Sequence, residues 1–152
     1  MSPRAMRHIV WVWLALMLLA PAAPADELLM VRAEHPFPDA ISDLQIAIQD
    51  HGYQVTRIQR VDVGLASGGY TTAEYRLVFF GKPEEMHDIE DRHPELLPYL
   101  PLKIVLFAEG DATLALAYNP AILQTLFKID PLQPRFERWE KDIRSILDQF
   151  AR

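Results

Sequence analysis

The sequence contains no cysteine. Disulfide bonds, thiol catalysis, c-type haem attachment and iron–sulfur ligation all require cysteine side chains, and lipidation of an exported protein requires a cysteine at its signal peptide. This single absence excludes all five kinds of chemistry.

Basic residues are outnumbered by acidic ones. The chain has 15 Lys and Arg against 21 Asp and Glu, and its formal net charge is −6. Residues 1–25 hold two of the basic residues, Arg4 and Arg7, and no acidic residue, which leaves −8 for residues 26–152. Nucleic-acid binding relies on Lys and Arg to neutralise phosphates. We therefore expect no nucleic-acid partner.

Catalytic and nucleotide-binding motifs are also missing. Ser67 lies outside the Gly-x-Ser-x-Gly pattern of an activated serine, and Gly64, Gly68 and Gly69 match neither glycine pattern that cradles phosphates. Residues 64–69 read as a loop or a single helical turn, and we expect no cofactor.

The chain begins with the pattern of a secretory signal peptide. Arg4 and Arg7 precede an apolar run over residues 9–20, and residues 21–25 end in small residues. This pattern predicts cleavage between Ala25 and Asp26, with residues 26–152 forming a single periplasmic domain. The alternative is an uncleaved membrane anchor at residues 9–25. The apolar run is shorter than the span of about 20 residues that a membrane helix needs.

Half of the residues are hydrophobic, enough for a core, and their spacing predicts the elements. Asp39 is expected to cap a helix that ends at Gly52. Gly110-Asp111 predicts a two-residue hairpin turn. Residues 94–101, rich in proline, are expected to run extended or turning. Apolar runs predict strands at 28–33, 53–63, 75–80, 102–108 and 113–118, and helical patterns cover 84–92 and 135–151.

The stretch from Pro94 to Pro120, with Leu100-Pro101, Gly110-Asp111 and Asn119-Pro120, resembles the bacterial family known as domain of unknown function 302. The resemblance covers about residues 30–120. It implies an α+β fold of two layers, with helices packed on an antiparallel sheet of about four to five strands, and often a homodimer. Many members carry Cys-Asn-Pro after the central strand, where this chain has residues 79–83 without cysteine.

The predicted strands are apolar on both sides. With Gly110-Asp111 as the turn, Val105 faces Leu116 on one side of the hairpin and Leu106 faces Ala115 on the other. A half-exposed antiparallel sheet normally alternates apolar and polar residues. The second side therefore needs a cover, which could be a helix, another subunit or an apolar ligand.

His87, Asp91 and His93 form the densest group of potential metal ligands. His87 and Asp91 are four residues apart and share a helix face, but the segment also fits an acidic, solvated helix, which we favour. We expect an exported, non-enzymatic binding or assembly domain that forms a homodimer. An apolar small ligand or an envelope protein is a further candidate partner, with membrane contact only through an uncleaved leader. The alternative is a small envelope enzyme or metal-dependent factor that uses residues 87–93.

Overall fold

The computed structural model describes residues 27–152. The predicted leader and the cleavage site between Ala25 and Asp26 lie outside these residues. The strands are β1 (Leu28–Ala33), β2 (Gln54–Arg60), β3 (Tyr75–Gly81), β4 (Leu102–Glu109) and β5 (Ala112–Tyr118). The α-helices are α1 (Phe37–Asp50), α2 (Val61–Ser67), α3 (Pro83–Arg92), α4 (Ile122–Phe127) and α5 (Gln133–Phe150), with 3-10 turns at Pro94–Tyr99 and Asp130–Leu132.

The strands form one antiparallel sheet in the order β1-β5-β4-β3-β2. Helices α1 and α5 pack against each other and against one face of this sheet. The core lies between these two layers, and the α+β class is confirmed. No helix within residues 27–152 has both the length and the apolar character to cross a membrane.

The hairpin between β4 and β5 has the predicted register. Val105 pairs with Leu116, Leu106 pairs with Ala115, and Gly110 in the turn has φ of 63°. A positive φ of this size is accessible to glycine without steric cost. The two-residue turn thus fixes which side chains share a face.

The C-terminal helix α5 closes over the sheet, as its periodicity predicts. The side chains on one stripe of the helix are buried, whereas Glu137 and Lys141 on the opposite stripe are exposed. This distribution is that of an amphipathic helix packed on a core. The buried residues are Phe136, Trp139, Ile143, Ile146, Leu147 and Phe150.

The predicted strand 53–63 is too long. Strand β2 ends at Arg60, whose partner is Arg76 at the end of the ladder with β3. Beyond Arg60 the backbone has no partner strand, and a helix satisfies its own N–H and C=O groups. Helix α2 therefore starts at Val61, and Arg76 donates a hydrogen bond to Asp62 in its first turn. That bond holds the pKa of the Asp62 carboxyl below its usual range.

One other boundary also differs. Helix α1 starts at Phe37, two residues before the predicted cap Asp39. Pro38 lies in the first turn, where backbone N–H groups have no partner within the helix, so its missing N–H costs nothing there. The prediction for its other end is confirmed, since Gly52 has φ of 76°. The proline-rich connection forms the 3-10 turn Pro94–Tyr99, which buries Leu96, before the cis Leu100–Pro101 bond.

Candidate functional site

The face of the sheet that α1 and α5 leave uncovered, here called the open face, is the candidate interaction site. Strand alternation directs every second side chain to this face. The register aligns Met30, Leu116, Val105 and Leu77 in one row across four strands. The apolar and aromatic side chains of the open face are Leu28, Met30, Tyr75, Leu77, Phe79, Val105, Phe107, Leu114, Leu116 and Tyr118. At one end of this face the Tyr118 hydroxyl donates to the Tyr99 carbonyl oxygen at 3.0 Å, so the turn Pro94–Tyr99 contacts that corner.

The two sides of the sheet are apolar but differ in exposure. Val78 and Phe80 on the helix side of β3 are fully buried, whereas Leu77 and Phe79 on the open face are only half-buried. At the β1 edge, Leu28 and Met30 remain 53% and 58% exposed. Within residues 27–152, the helices thus cover one apolar side and leave the other in contact with solvent.

Charged residues line the rim of the open face. Arg57 and Lys103 flank Phe79 on the neighbouring strands. At the opposite corner Arg32 pairs with Glu109 at 2.8 Å. An apolar centre with a charged rim is the composition of a protein interface, in which the centre excludes water and the rim fixes orientation.

A second cluster of polar side chains lies at the helix side of the sheet, next to residues 81–83. Trp139 is buried, and its Nε1 donates to Glu85 Oε2 at 2.8 Å. Arg138 donates to the other oxygen of Glu85 at 2.6 Å, and the Tyr53 hydroxyl donates to Asp142 at 2.6 Å. Burial and the hydrogen bond to Asp142 raise the pKa of Tyr53 well above its usual range.

The cavity beside this polar cluster is small. Lys82 Nζ lies 4.6 Å from the centre of the Tyr53 ring, and the cavity between these groups measures about 10 Å³. Such a volume holds about one water molecule. The polar groups of this network bind one another.

The structure brings together two of the three candidate metal ligands. His87 Nε2 and Asp91 Oδ2 are 3.5 Å apart on α3, with both side chains largely exposed. His93 caps the end of α3 and pairs with a different carboxylate, Glu95, at 3.3 Å. Among residues 27–152 there is no group of three or more His, Asp or Glu side chains arranged to hold a metal ion.

The family model for the domain of unknown function DUF302 matches residues 29–150. The chain belongs to the DUF302 family. The match extends beyond residues 30–120, on which the resemblance rests, and includes α5. No curated protein matches the chain.

A solved structure with the same fold is an uncharacterized conserved protein DUF302 from Bacillus stearothermophilus. It matches with a TM-score of 0.75 and 19% identity, over 84% of this chain and 100% of that chain. At this identity the likeness establishes the fold.

Sequence patterns identified the apolar strands of this DUF302 protein, but they missed two features of its surface. Local alternation does not show that Leu28 and Met30 remain exposed, because exposure depends on where the helices pack. The network around Trp139 joins side chains 54 and 89 positions apart. The sequence signal for the network is the spacing of Glu85 and Ile89. They are four residues apart and so share a face of α3, and Ile89 is the buried residue of that helix.

Proposed function

We propose that this DUF302 protein is an exported, non-enzymatic assembly domain whose open face packs against the open face of a second copy. The observation that carries the proposal is the apolar centre of this face. Residues that alternate in a strand are expected to be polar on a solvated side. Here the row from Met30 to Leu77 is apolar across four strands.

The size of the open face suits a homodimer. Strands lie about 4.8 Å apart and rise about 3.3 Å per residue, so five strands of six residues cover roughly 400 to 500 Å² in projection. Stable interfaces bury roughly 800 Å² per partner, so the open face is large enough to form the apolar centre of such an interface, with the charged rim around it. Contiguous exposed apolar patches above a few hundred Å² often mark interaction sites. Two such sheets pack face to face about 10 Å apart.

Light scattering of residues 26–152 should report twice the chain mass. Val105→Lys, at the centre of the open face, should weaken the dimer by about 30-fold or more, because central interface residues contribute at least about 2 kcal/mol. The matched control is Val63→Lys, since Val63 is 47% exposed on α2 and off this face. The control should remain dimeric. A wild-type monomer at high micromolar concentration would contradict the proposal.

We also propose that the leader directs export and is removed after Ala25. Small residues at positions 23 and 25 fit the cleavage pattern of signal peptidase. N-terminal sequencing of the periplasmic protein should therefore begin at Asp26. Processing also removes Trp11 and Trp13 and leaves Trp139 as the single tryptophan, so that absorbance per chain falls with cleavage. Recovery of the full-length chain in the membrane fraction would show that residues 9–25 act as an anchor.

A further inference from the structure

Strand β4, the middle strand of the sheet, carries opposite charges at the two ends of the open face. Lys103 and Glu109 are six residues apart on this strand, so alternation directs both side chains to the open face. At the usual rise per residue their Cα atoms are about 20 Å apart. The central strand of the open face therefore has a cation at one end and an anion at the other.

Both charged groups can take a partner from another molecule. Lys103 is half-buried, and no carboxylate within residues 27–152 pairs with its ammonium group. Glu109 accepts from Arg32 through Oε2 at 2.8 Å, and its side chain is 52% exposed. A carboxylate has two oxygens with about four acceptor positions, so Glu109 can accept from a second cation as well.

The apolar side chains between these two charges differ in size. Tyr75 and Phe107 are paired across β3 and β4, and their ring centroids are 6.2 Å apart. Leu77 and Val105 form the neighbouring pair on the open face, one step closer to Lys103, and are smaller. Two layers fill the space between them best when large side chains of one meet small side chains of the other.

Two arrangements place two copies of this face together with nearly aligned strands and the same surface on both sides. A two-fold axis parallel to β4 brings each β4 residue opposite itself, so that Lys103 meets the partner's Lys103 and Phe107 meets the partner's Phe107. A two-fold axis across the strands at the level of Leu106 brings Lys103 opposite the partner's Glu109. The same axis brings Phe107 opposite the partner's Val105. Only the second arrangement joins opposite charges and large with small side chains.

We propose that the two copies meet with their β4 strands antiparallel, so that Lys103 of each copy pairs with the partner's Glu109. This orientation rests on the face-to-face dimer proposed above and specifies how its two halves fit. The ion pair forms twice, once at each end of the apolar centre. Between the two ion pairs, Leu77 lies opposite the partner's Tyr75. Like charges disfavour the parallel arrangement, and such repulsion is a common source of specificity.

Exchange of the two charges tests the orientation. Residues 26–152 with Lys103→Glu should dimerise about 10-fold more weakly than the wild type, because two glutamates then meet at each end. Glu109→Lys should have a similar effect. An equimolar mixture of the two variants should recover dimers with one chain of each mass by native mass spectrometry, since Lys and Glu meet again at both ends. Melting temperatures of the diluted, monomeric variants separate weaker assembly from loss of folding.

Crosslinking reports the same orientation without a change in rim charge being the readout. The chain has no cysteine, so Lys103→Cys and Glu109→Cys each introduce a single thiol. A bismaleimide with a spacer of about 10 Å, the usual distance between packed sheets, should link the two variants when they are mixed. It should not link Lys103→Cys chains to each other, because these two positions are about 20 Å apart along the strand.

Lys141→Glu and Glu137→Lys are the matched controls for charge reversal, because both positions are exposed on α5, on the other side of the sheet. These variants should dimerise like the wild type. A wild-type monomer would contradict the face contact and the orientation with it. A wild-type dimer that tolerates both charge reversals, or that links through Lys103→Cys alone, would contradict the antiparallel orientation and leave the face contact standing.

Discussion

Replacing Phe80 by Ala should lower the free energy of unfolding of residues 26–152 by about 3–5 kcal/mol, the usual cost of removing a buried phenyl ring. Phe80 is fully buried on the helix side of the sheet, and its ring meets Tyr53 edge-on at 5.5 Å between centroids. For a domain of this size the melting temperature should fall by about 10–15 °C. Emission from Trp139 follows unfolding in urea.

Phe79→Ala is the matched control for Phe80→Ala. Both residues are phenylalanines on β3, but Phe79 lies on the open face and is half-buried. At a concentration low enough to keep the protein monomeric, this variant should lose only about 1 kcal/mol, because less apolar area leaves water on folding. Equal losses for the two variants would show that the open face is covered in the monomer.

Glu85→Ala should lower the free energy of unfolding by about 1–3 kcal/mol, because it leaves the buried indole N–H of Trp139 without its acceptor. Arg138 loses the same carboxylate. Glu85→Gln keeps an acceptor for the indole and should restore part of the loss. The indole proton of Trp139 should shift in an NMR spectrum of the Ala variant, since the hydrogen bond to Glu85 is gone.

Glu84→Ala controls for the loss of an acidic residue at the start of the same helix. Glu84 precedes Glu85 in the first turn of α3 but is exposed, and its replacement should change the free energy of unfolding by no more than about 0.5 kcal/mol. If Glu84→Ala and Glu85→Ala cost the same, the cost belongs to the helix terminus and not to the network around Trp139.

Assembly is the proposed use of the open face, which α1 and α5 leave uncovered. The network around Trp139 joins α5 to α3 through the two hydrogen bonds to Glu85. The proposed contact and the network therefore lie on different parts of the domain, and a variant at one should leave the other intact.

The sequence by itself determined the elements whose signals are local. The Gly110-Asp111 turn sets the register of the hairpin because only a few residues separate its strands. The periodicity of residues 135–151 predicts α5 because apolar residues recur about every three to four positions, which is one turn of an α-helix. The run of β-branched residues from Val55 to Val63 misled for the same reason. It records local preference, whereas the end of β2 at Arg60 depends on where its antiparallel partner β3 begins.

Only the tertiary structure decided which apolar side of the sheet is covered. Leu77 and Val78 are equally apolar in sequence, yet Val78 is buried under the helices and Leu77 faces away from them. Helices α1 and α5 are separated by 82 positions in sequence and pack together on one side. Apolar character belongs to each residue, but burial is set by long-range packing, and that packing leaves the open face uncovered by α1 and α5.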